Sequence, residues 1–369
     1  MRRGRYHPAP LWPLVIAALV VVVGAFGLGY AWHKPRVAVA PVPHVKKVPI
    51  DHRETLAHAL PRDHFTGVAA IYLHNKRVAV LTRGMADRKR EIRNTANTMF
   101  EIDSVEKSLT AGLVMQAINR HELKMADKLA RFYPAVPGAK QITVRELLDM
   151  TAGLSVQGAF NEPTYTGDAA RVQALIKKLH YVPSLHGVGR YQPANYVLLV
   201  GILMQVTHQS YQTLVTNAYI KPLGLRHTRF AYAYDQSGEA RGYGWGKHGL
   251  KDAPQINTPA KISHQELGTG QLFMSVDDLY ALQSALVSGR LFTPRMAVWL
   301  YAPGSETTYG GGLYATQQFR LSNGYGYGFQ CFMRITEDGR NALVVMANCN
   351  TPQHYIEQAS NRLAAVWLP

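Results

Sequence analysis

The sequence predicts an α/β fold of the α+β type, in which one antiparallel sheet is built from both ends of the chain, is flanked by helices, and carries a helical lobe. Two β-rich runs lie near the start of the folded body, at residues 65–73 and 78–82, and three more lie near its end. The long middle has a helical pattern, so the terminal strands have to pair across it. With 369 residues, 47% of them apolar, the chain is able to bury a large core.

The front of the chain is predicted to be a membrane anchor. Residues 11–32 form an apolar stretch without a charge, and about 20 such residues in a helix cross a hydrocarbon layer of about 30 Å. Three arginines in the tail at residues 1–10 favour a cytoplasmic N-terminus. A cleaved signal peptide is the alternative, but the apolar run is longer than is usual for one. We expect a single-pass cell-membrane protein whose body is extracytoplasmic.

A spacer and one large domain follow the predicted anchor. Residues 33–50 contain four prolines and no helical period, which is typical of an extended linker. The body then covers residues 51–369. Its strands are recognised by β-branched and aromatic runs and its helices by apolar residues three and four positions apart. The predicted order is helix 51–60, strands 65–73 and 78–82, helices 104–119, 144–150, 168–178, 195–207, 211–218 and 276–288, strands 314–321, 329–335 and 342–348, and helix 355–367.

The charge of the chain favours anionic partners. Lys and Arg outnumber Asp and Glu by 40 to 24, which gives a net charge of +16. Such a surface attracts membrane headgroups or phosphate-rich wall polymers, although a basic surface can also serve solubility alone. No nucleic-acid-binding motif accompanies the charge, so we expect no nucleic-acid partner.

The cysteines and histidines do not predict a metal or redox site. The fifteen histidines are scattered, without the helical pair around a glutamate that a zinc hydrolase needs. We expect no metal and no cofactor. Cys331 and Cys349 lie on two strands joined by a turn near Gly339, and the count back from that turn places Cys349 opposite Gly328 rather than Cys331. A disulfide would need a shifted register and is not expected.

Ser104 and Lys107 form a candidate nucleophile and base at the start of a buried helix. Residues three apart share one face of a helix, so the amine is able to reach the hydroxyl. Burial disfavours the charged form of an amine, which allows it to accept the serine proton. A serine at a helix start is more often a cap, however, and a nearby lysine is more often solvated. The pair alone leaves both readings open.

The surrounding motifs resemble those of the penicillin-recognising serine hydrolases, a family that includes class C β-lactamases, D-alanyl-D-alanine carboxypeptidases (penicillin-binding proteins) and related esterases. The similarity runs through nearly the whole body and keeps the family's order. The matching segments are FEIDSVEK at 100–107, ITVRELLDMTAGL at 142–154, YQPANYVLLVGIL at 191–203, KPLGLRHT at 221–228 and GTGQLFMSVDDL at 268–279.

The resemblance implies a role for several residues. It makes Ser104 the nucleophile, Lys107 the general base and Tyr191 the residue that passes the proton to the leaving group. The family's third motif, Lys-Thr-Gly or His-x-Gly, is best matched by Ser322, Asn323 and Gly324, which would bind substrate. The oxyanion hole would be formed by the backbone N–H groups of Ser104 and Tyr325. Apart from the resemblance, Glu106 is expected to be a solvated charge on the helix face and Asp103 a helix cap; the alternative is that these carboxyl groups tune Lys107.

Two departures from the family pattern bear on the substrate. Pro193 replaces the asparagine of the Tyr-x-Asn motif, so Lys107 loses an expected partner; Asn195, two residues on, is expected to face elsewhere. Ser322 replaces the cationic residue that holds a free carboxylate in relatives, which weakens recognition of β-lactams and D-alanyl-D-alanine. We therefore expect an esterase acting on D-alanylated teichoic acid. The alternatives are a D,D-carboxypeptidase acting on peptidoglycan stem peptides, a β-lactamase, and a catalytically silent protein that binds wall polymer.

Overall fold

A seven-stranded antiparallel sheet forms the centre of the body. The computed structural model describes residues 51–158, 167–233, 238–257 and 264–368. The helices are α1 (His52–Ala59), α2 (Lys107–Asn119), α3 (Val144–Leu148), α4 (Asp168–Ile176), α5 (Ala194–Thr207), α6 (Tyr211–Val215), α7 (Lys221–Leu223), α8 (Val276–Val287), α9 (Pro294–Leu300) and α10 (Tyr355–Trp367). The strands are β1 (Gly67–Leu73), β2 (Lys76–Arg83), β3 (Met85–Asp87), β4 (Ile92–Arg93), β5 (Phe100–Glu101), β6 (Ala152–Val156), β7 (Leu179–His186), β8 (Thr228–Phe230), β9 (Leu272–Met274), β10 (Tyr309–Gly310), β11 (Leu313–Ala315), β12 (Arg320–Gly326), β13 (Phe329–Ile335) and β14 (Ala342–Ala347).

The prediction of one sheet assembled from both chain ends is confirmed. The strand order is β10-β11-β12-β13-β14-β1-β2, so the first strand of the body pairs with the last. Smaller sheets join β3 to β4, β6 to β7, and β5 and β8 to β9. The predicted tail, anchor and linker lie outside the described residues. Within those residues, none of the helices combines the length and the apolar character needed to cross a bilayer.

The central strands are apolar on both faces because both faces are covered. On β1, Val68 and Ala70 pack into the core under the helical lobe, whereas Ala69 and Ile71 face the terminal helices α1 and α10. Side chains alternate between the two faces of a strand. Burial of a large side chain such as Val68 or Ile71 contributes about 1.5–3 kcal/mol.

Helix α2 runs through the middle of the larger core. Ten of its residues, from Lys107 to Ala117, are buried. Its Gly112 lies so close to α8 and Tyr219 that a Cβ there would be 2.4 Å from the Leu286 side chain. The small residue allows this close approach, and the packing fixes the helix that carries the candidate site.

The sequence misplaced the elements before β12. The strand predicted at 314–321 is wrong, because the chain turns after Ala315, where the Thr316 hydroxyl accepts the Phe319 N–H over 2.9 Å. The next strand begins at Arg320 and continues to Gly326, so the candidate third motif lies inside it. The cysteine register is as expected: Cys331 lies opposite Met346, and both cysteines are free.

Candidate active site

The chain places Ser104 at the mouth of the helical lobe through a tight turn. Residues Asp103–Glu106 form one turn of 3-10 helix between β5 and α2. Ile102 donates its N–H to the Leu272 carbonyl of β9 over 2.9 Å, which anchors the start of the turn. Asp103 has a φ of 45°, a backbone conformation that costs a non-glycine residue about 1–3 kcal/mol and is typical of functional sites.

Two side chains converge on the Ser104 hydroxyl. The Nζ of Lys107 and the Oη of Tyr191 each lie 2.8 Å from the Oγ of Ser104. Lys107 is only 1% exposed, whereas Tyr191 is 46% exposed. The lysine Nζ also donates a hydrogen bond to the Thr269 carbonyl over 3.3 Å and lies 5.2 Å from the centre of the Tyr191 ring. The three residues singled out as catalytic in the sequence are therefore brought together.

The segment that carries Tyr191 is held by contacts on both sides. Arg190 donates its N–H to the Met150 carbonyl over 3.0 Å, and the Tyr191 ring packs edge-on against Tyr309. Asn195 is buried on the first turn of α5, where its Nδ2 donates to the Gln192 carbonyl over 3.0 Å. That hydrogen bond fixes the turn after Tyr191.

Of residues 322–325, which include the candidate third motif, only two face the turn that carries Ser104. Gly324 and Ser322 lie on the face of β12 toward this turn, and a Cβ on Gly324 would be 2.1 Å from the Ile102 carbonyl oxygen. The Asn323 side chain lies on the opposite face, where its Nδ2 donates to Glu357 of α10 over 2.7 Å. The Tyr325 hydroxyl also contacts Glu357. The structure thus directs these two side chains away from Ser104.

The backbone of Tyr325 is presented at the free edge of β12. Tyr327 and Gly328 both have positive φ and form a two-residue turn, so Gly326 pairs with Phe329 in the hydrogen-bonded manner. Backbone groups alternate along an antiparallel strand, which turns the Tyr325 N–H away from β13. Strand β11 pairs with β12 only at Arg320 and Leu321. The N–H expected in the oxyanion hole therefore points out of the sheet at this edge, and Tyr325 lines the same cavity as Ser104.

Buried carboxyl groups surround the nucleophile turn. Glu106 is fully buried and accepts the N–H of Gln271, so the expectation of a solvated charge is wrong. Desolvation raises the pKa of the Glu106 carboxyl to about 8. Asp103 is buried without acting as a cap, contrary to the sequence interpretation. Desolvation, and then the nearby carboxylates, raise the pKa of both Glu101 and Asp103 well above its usual range.

A small cavity opens directly onto Ser104. It encloses about 270 Å³ and is lined by Asp103, Ser104, Glu266, Thr269, Tyr325, Gly326 and Tyr327. Sequence reasoning gave no role to Glu266, which lies two residues before the matched GTG segment at 268–270, or to Thr269 within that segment. Across the residues that the structure describes, no group of three His, Cys, Asp or Glu side chains is arranged to hold a metal ion.

The chain is similar to several known proteins. The sequence model of the family described as "Beta-lactamase" matches residues 52–366. A relative from Bacillus subtilis, named "Putative penicillin-binding protein PbpX", is 27% identical over 302 residues, which are 81% of this chain and 74% of that protein. The teichoic acid D-alanine hydrolase of Staphylococcus aureus is 29% identical over 239 residues, which are 63% of this chain and 57% of the hydrolase.

A solved structure shows the same fold. The crystal structure of FmtA from Staphylococcus aureus aligns with a TM-score of 0.72 at 24% identity, covering 84% of this chain and 86% of that one. The alignment extends over most of both chains, so the sheet and the helical lobe are shared as a unit.

Proposed function

This chain belongs to the beta-lactamase family, and on that premise we propose that it removes D-alanyl groups from the cell envelope through an acyl-enzyme on Ser104, with D-alanyl esters of teichoic acid as its substrate. The observation that carries the proposal is the convergence of the Lys107 amine and the Tyr191 hydroxyl on the Ser104 oxygen, each at 2.8 Å. A serine hydroxyl needs a neighbouring base before it attacks a carbonyl, and this arrangement supplies one.

The proposed reaction has two halves. Ser104 Oγ attacks the ester carbonyl and gives its proton to the Lys107 amine, and the backbone N–H groups of Ser104 and Tyr325 stabilise the oxyanion. Tyr191 gives its hydroxyl proton to the oxygen of the departing alcohol as the C–O bond of the ester breaks, and it recovers a proton from the Lys107 ammonium. Water then attacks the acyl-enzyme by the reverse proton path, which releases D-alanine and restores the serine.

The proposed choice of an ester over a peptide depends on the third motif. Ser322 stands where relatives carry a cation for a free carboxylate, and it is buried with no hydrogen-bond partner for its Oγ among the described residues. A D-alanyl ester on a polymer has no free carboxylate, whereas D-alanyl-D-alanine does. The net charge of +16 favours an anionic polymer, and one relative is named for teichoic acid D-alanine hydrolysis.

Release of D-alanine by the full-length chain tests the proposal. D-Alanylated lipoteichoic acid and a pentapeptide ending in D-alanyl-D-alanine are incubated separately with the chain and with its Ser104→Ala variant. The proposal expects release from the polymer that depends on Ser104. Release from the peptide alone would favour the D,D-carboxypeptidase reading, which the penicillin-binding name of one relative supports. Release from neither would favour a silent polymer-binding protein.

We further propose that the body acts outside the cytoplasmic membrane, held by the apolar residues 11–32. The absence of charge in that stretch and the arginines before it support this location. Protease added to intact spheroplasts should digest the body. In a separate sample without protease, the whole protein should stay in the membrane fraction after alkaline extraction. A body protected from protease would contradict the proposal.

A further inference from the structure

We infer that Glu266, with Asp103 beside it, binds the free ammonium group of the acyl substrate and so selects acyl groups that carry an amine next to the carbonyl. This inference rests on the proposed function and deepens it, because it concerns the acyl half of the same substrate. It assigns a specificity-determining role to a carboxylate that belongs to none of the matched motifs.

Glu266 lines the cavity that opens onto Ser104. It ends the short 3-10 turn His264–Glu266, and the following turn folds back so that Thr269 and Gly270 donate their N–H groups to the Glu266 carbonyl. Its carboxylate is oriented by two side chains: the Thr269 hydroxyl donates over 3.0 Å and the Tyr327 hydroxyl over 3.2 Å. The Thr269 carbonyl in turn accepts a hydrogen bond from the Lys107 amine. Thr269 therefore contacts both the Glu266 carboxylate and the catalytic base.

Asp103 supplies a second acceptor in the same cavity. It lines the cavity and is 5% exposed, and its Oδ2 has no hydrogen-bond partner. Among the described residues this buried polar atom is left without a partner, which is costly, and a bound cation would remove that cost. Gly270 lies beside both residues, since a Cβ there would be 3.2 Å from the Asp103 Cα and 3.6 Å from the Glu266 Cβ.

The chemistry of the acyl group matches these acceptors. In a D-alanyl ester the ammonium is two bonds from the carbonyl carbon that Ser104 attacks, so both fit within one small cavity. A carboxylate is an acceptor-only group that pairs with an ammonium through charge-assisted hydrogen bonds. In a peptide ending in D-alanyl-D-alanine the corresponding nitrogen is an uncharged amide, which gains less from a carboxylate. The cavity therefore favours an aminoacyl ester over a peptide for a second reason, independent of Ser322.

Two small esters isolate the ammonium. D-Alanine methyl ester carries it, and methyl propionate is the same ester without it. We measure kcat/KM for both with the full-length chain, with Glu266→Gln, and with Glu122→Gln as the matched control. Glu122 is also a half-buried glutamate, but it pairs with Arg120 beyond the end of α2. Thermal unfolding of each variant checks its fold.

We expect Glu266→Gln to lower kcat/KM for D-alanine methyl ester by about tenfold to hundredfold, which corresponds to the free energy of a hydrogen bond to a charged group. The kcat/KM for methyl propionate should stay the same. Equal losses on both esters would mean that Glu266 only positions Lys107, and no loss on either would mean that it is not used; both results overturn the inference. Release of D-alanine from lipoteichoic acid, measured in parallel, reports on the proposed function separately, since it can succeed where the ester comparison fails.

Discussion

The Lys107 amine donates a hydrogen bond to the Thr269 carbonyl over 3.3 Å, and this contact gives the base a partner that Pro193 is unable to supply. The sequence correctly indicated that proline at this place removes a side-chain amide. It did not indicate the replacement, because Thr269 is 162 residues further along the chain. The turn after Glu266 thereby holds the base against the Ser104 hydroxyl.

Replacing Tyr191 with phenylalanine should slow hydrolysis of alkyl esters much more than hydrolysis of p-nitrophenyl esters. The change removes the hydroxyl that lies 2.8 Å from Ser104 Oγ and keeps the ring. Proton transfer to a poor leaving group is worth about 10²–10⁴ in rate, whereas p-nitrophenolate leaves without a proton. The measurement is kcat for a D-alanyl alkyl ester and for its p-nitrophenyl counterpart.

The control for that experiment is Tyr355→Phe. Tyr355 is the half-buried first residue of α10 and packs against the core between the sheet and helices α1 and α10. The variant should match the parent chain on both esters. Equal losses on both esters in Tyr191→Phe would show that the hydroxyl does not serve the leaving group.

Replacing Glu106 with glutamine should stabilise the protein at alkaline pH. Burial raises the pKa of this carboxyl to about 8 from a usual 4.5, so between these values the folded state binds a proton that the unfolded state has lost. The free energy of unfolding therefore falls as pH rises through this window and levels off above it. Glutamine retains an oxygen for the Gln271 N–H and has no charge to bury.

Thermal unfolding of Glu106→Gln and the parent chain checks this prediction. The variant's gain in midpoint should be small near about pH 5 and largest near about pH 9. Glu337→Gln, an exposed glutamate paired with Arg320, serves as the control and should show no such trend. A gain that is independent of pH would contradict the buried, protonated state of Glu106.

Replacing Gly324 with alanine should lower both stability and activity. Its Cβ would lie 2.1 Å from the Ile102 backbone oxygen, so β12 and the Ser104 turn would have to separate, at a cost typical of overpacking, about 1–3 kcal/mol. Gly244→Ala is the control, since its Cβ would be 3.4 Å from its nearest neighbour. Urea unfolding and ester hydrolysis are measured together, and a stable, fully active Gly324→Ala would disprove the close packing.

The sequence was informative where local geometry decides the outcome. Ser104 and Lys107 are three residues apart, so a helical turn alone brings them together, and the two residues between β1 and β2 bring those neighbouring strands into an antiparallel pair. Tyr191 was identified by resemblance, because its contact with Ser104 spans 87 residues and leaves no periodic signal.

The failures concern the direction in which a side chain points. Asn323 faces α10 because side chains alternate along β12, and the sequence placed the end of that strand too early to count the alternation. Glu106 was assigned to the surface by its polarity, but tertiary packing buries all sides of α2 near its start. Glu266 belongs to no motif, and only the folded turn brings it to Ser104.

The most direct test of the account is to locate the covalent intermediate. The full-length chain is treated with a fluorophosphonate, digested, and mapped by mass spectrometry, with Ser104→Ala treated in parallel. The account predicts one modified residue, Ser104, and no labelling of the variant. Labelling of another residue, or equal labelling of Ser104→Ala, would contradict the claim that this hydroxyl is the nucleophile.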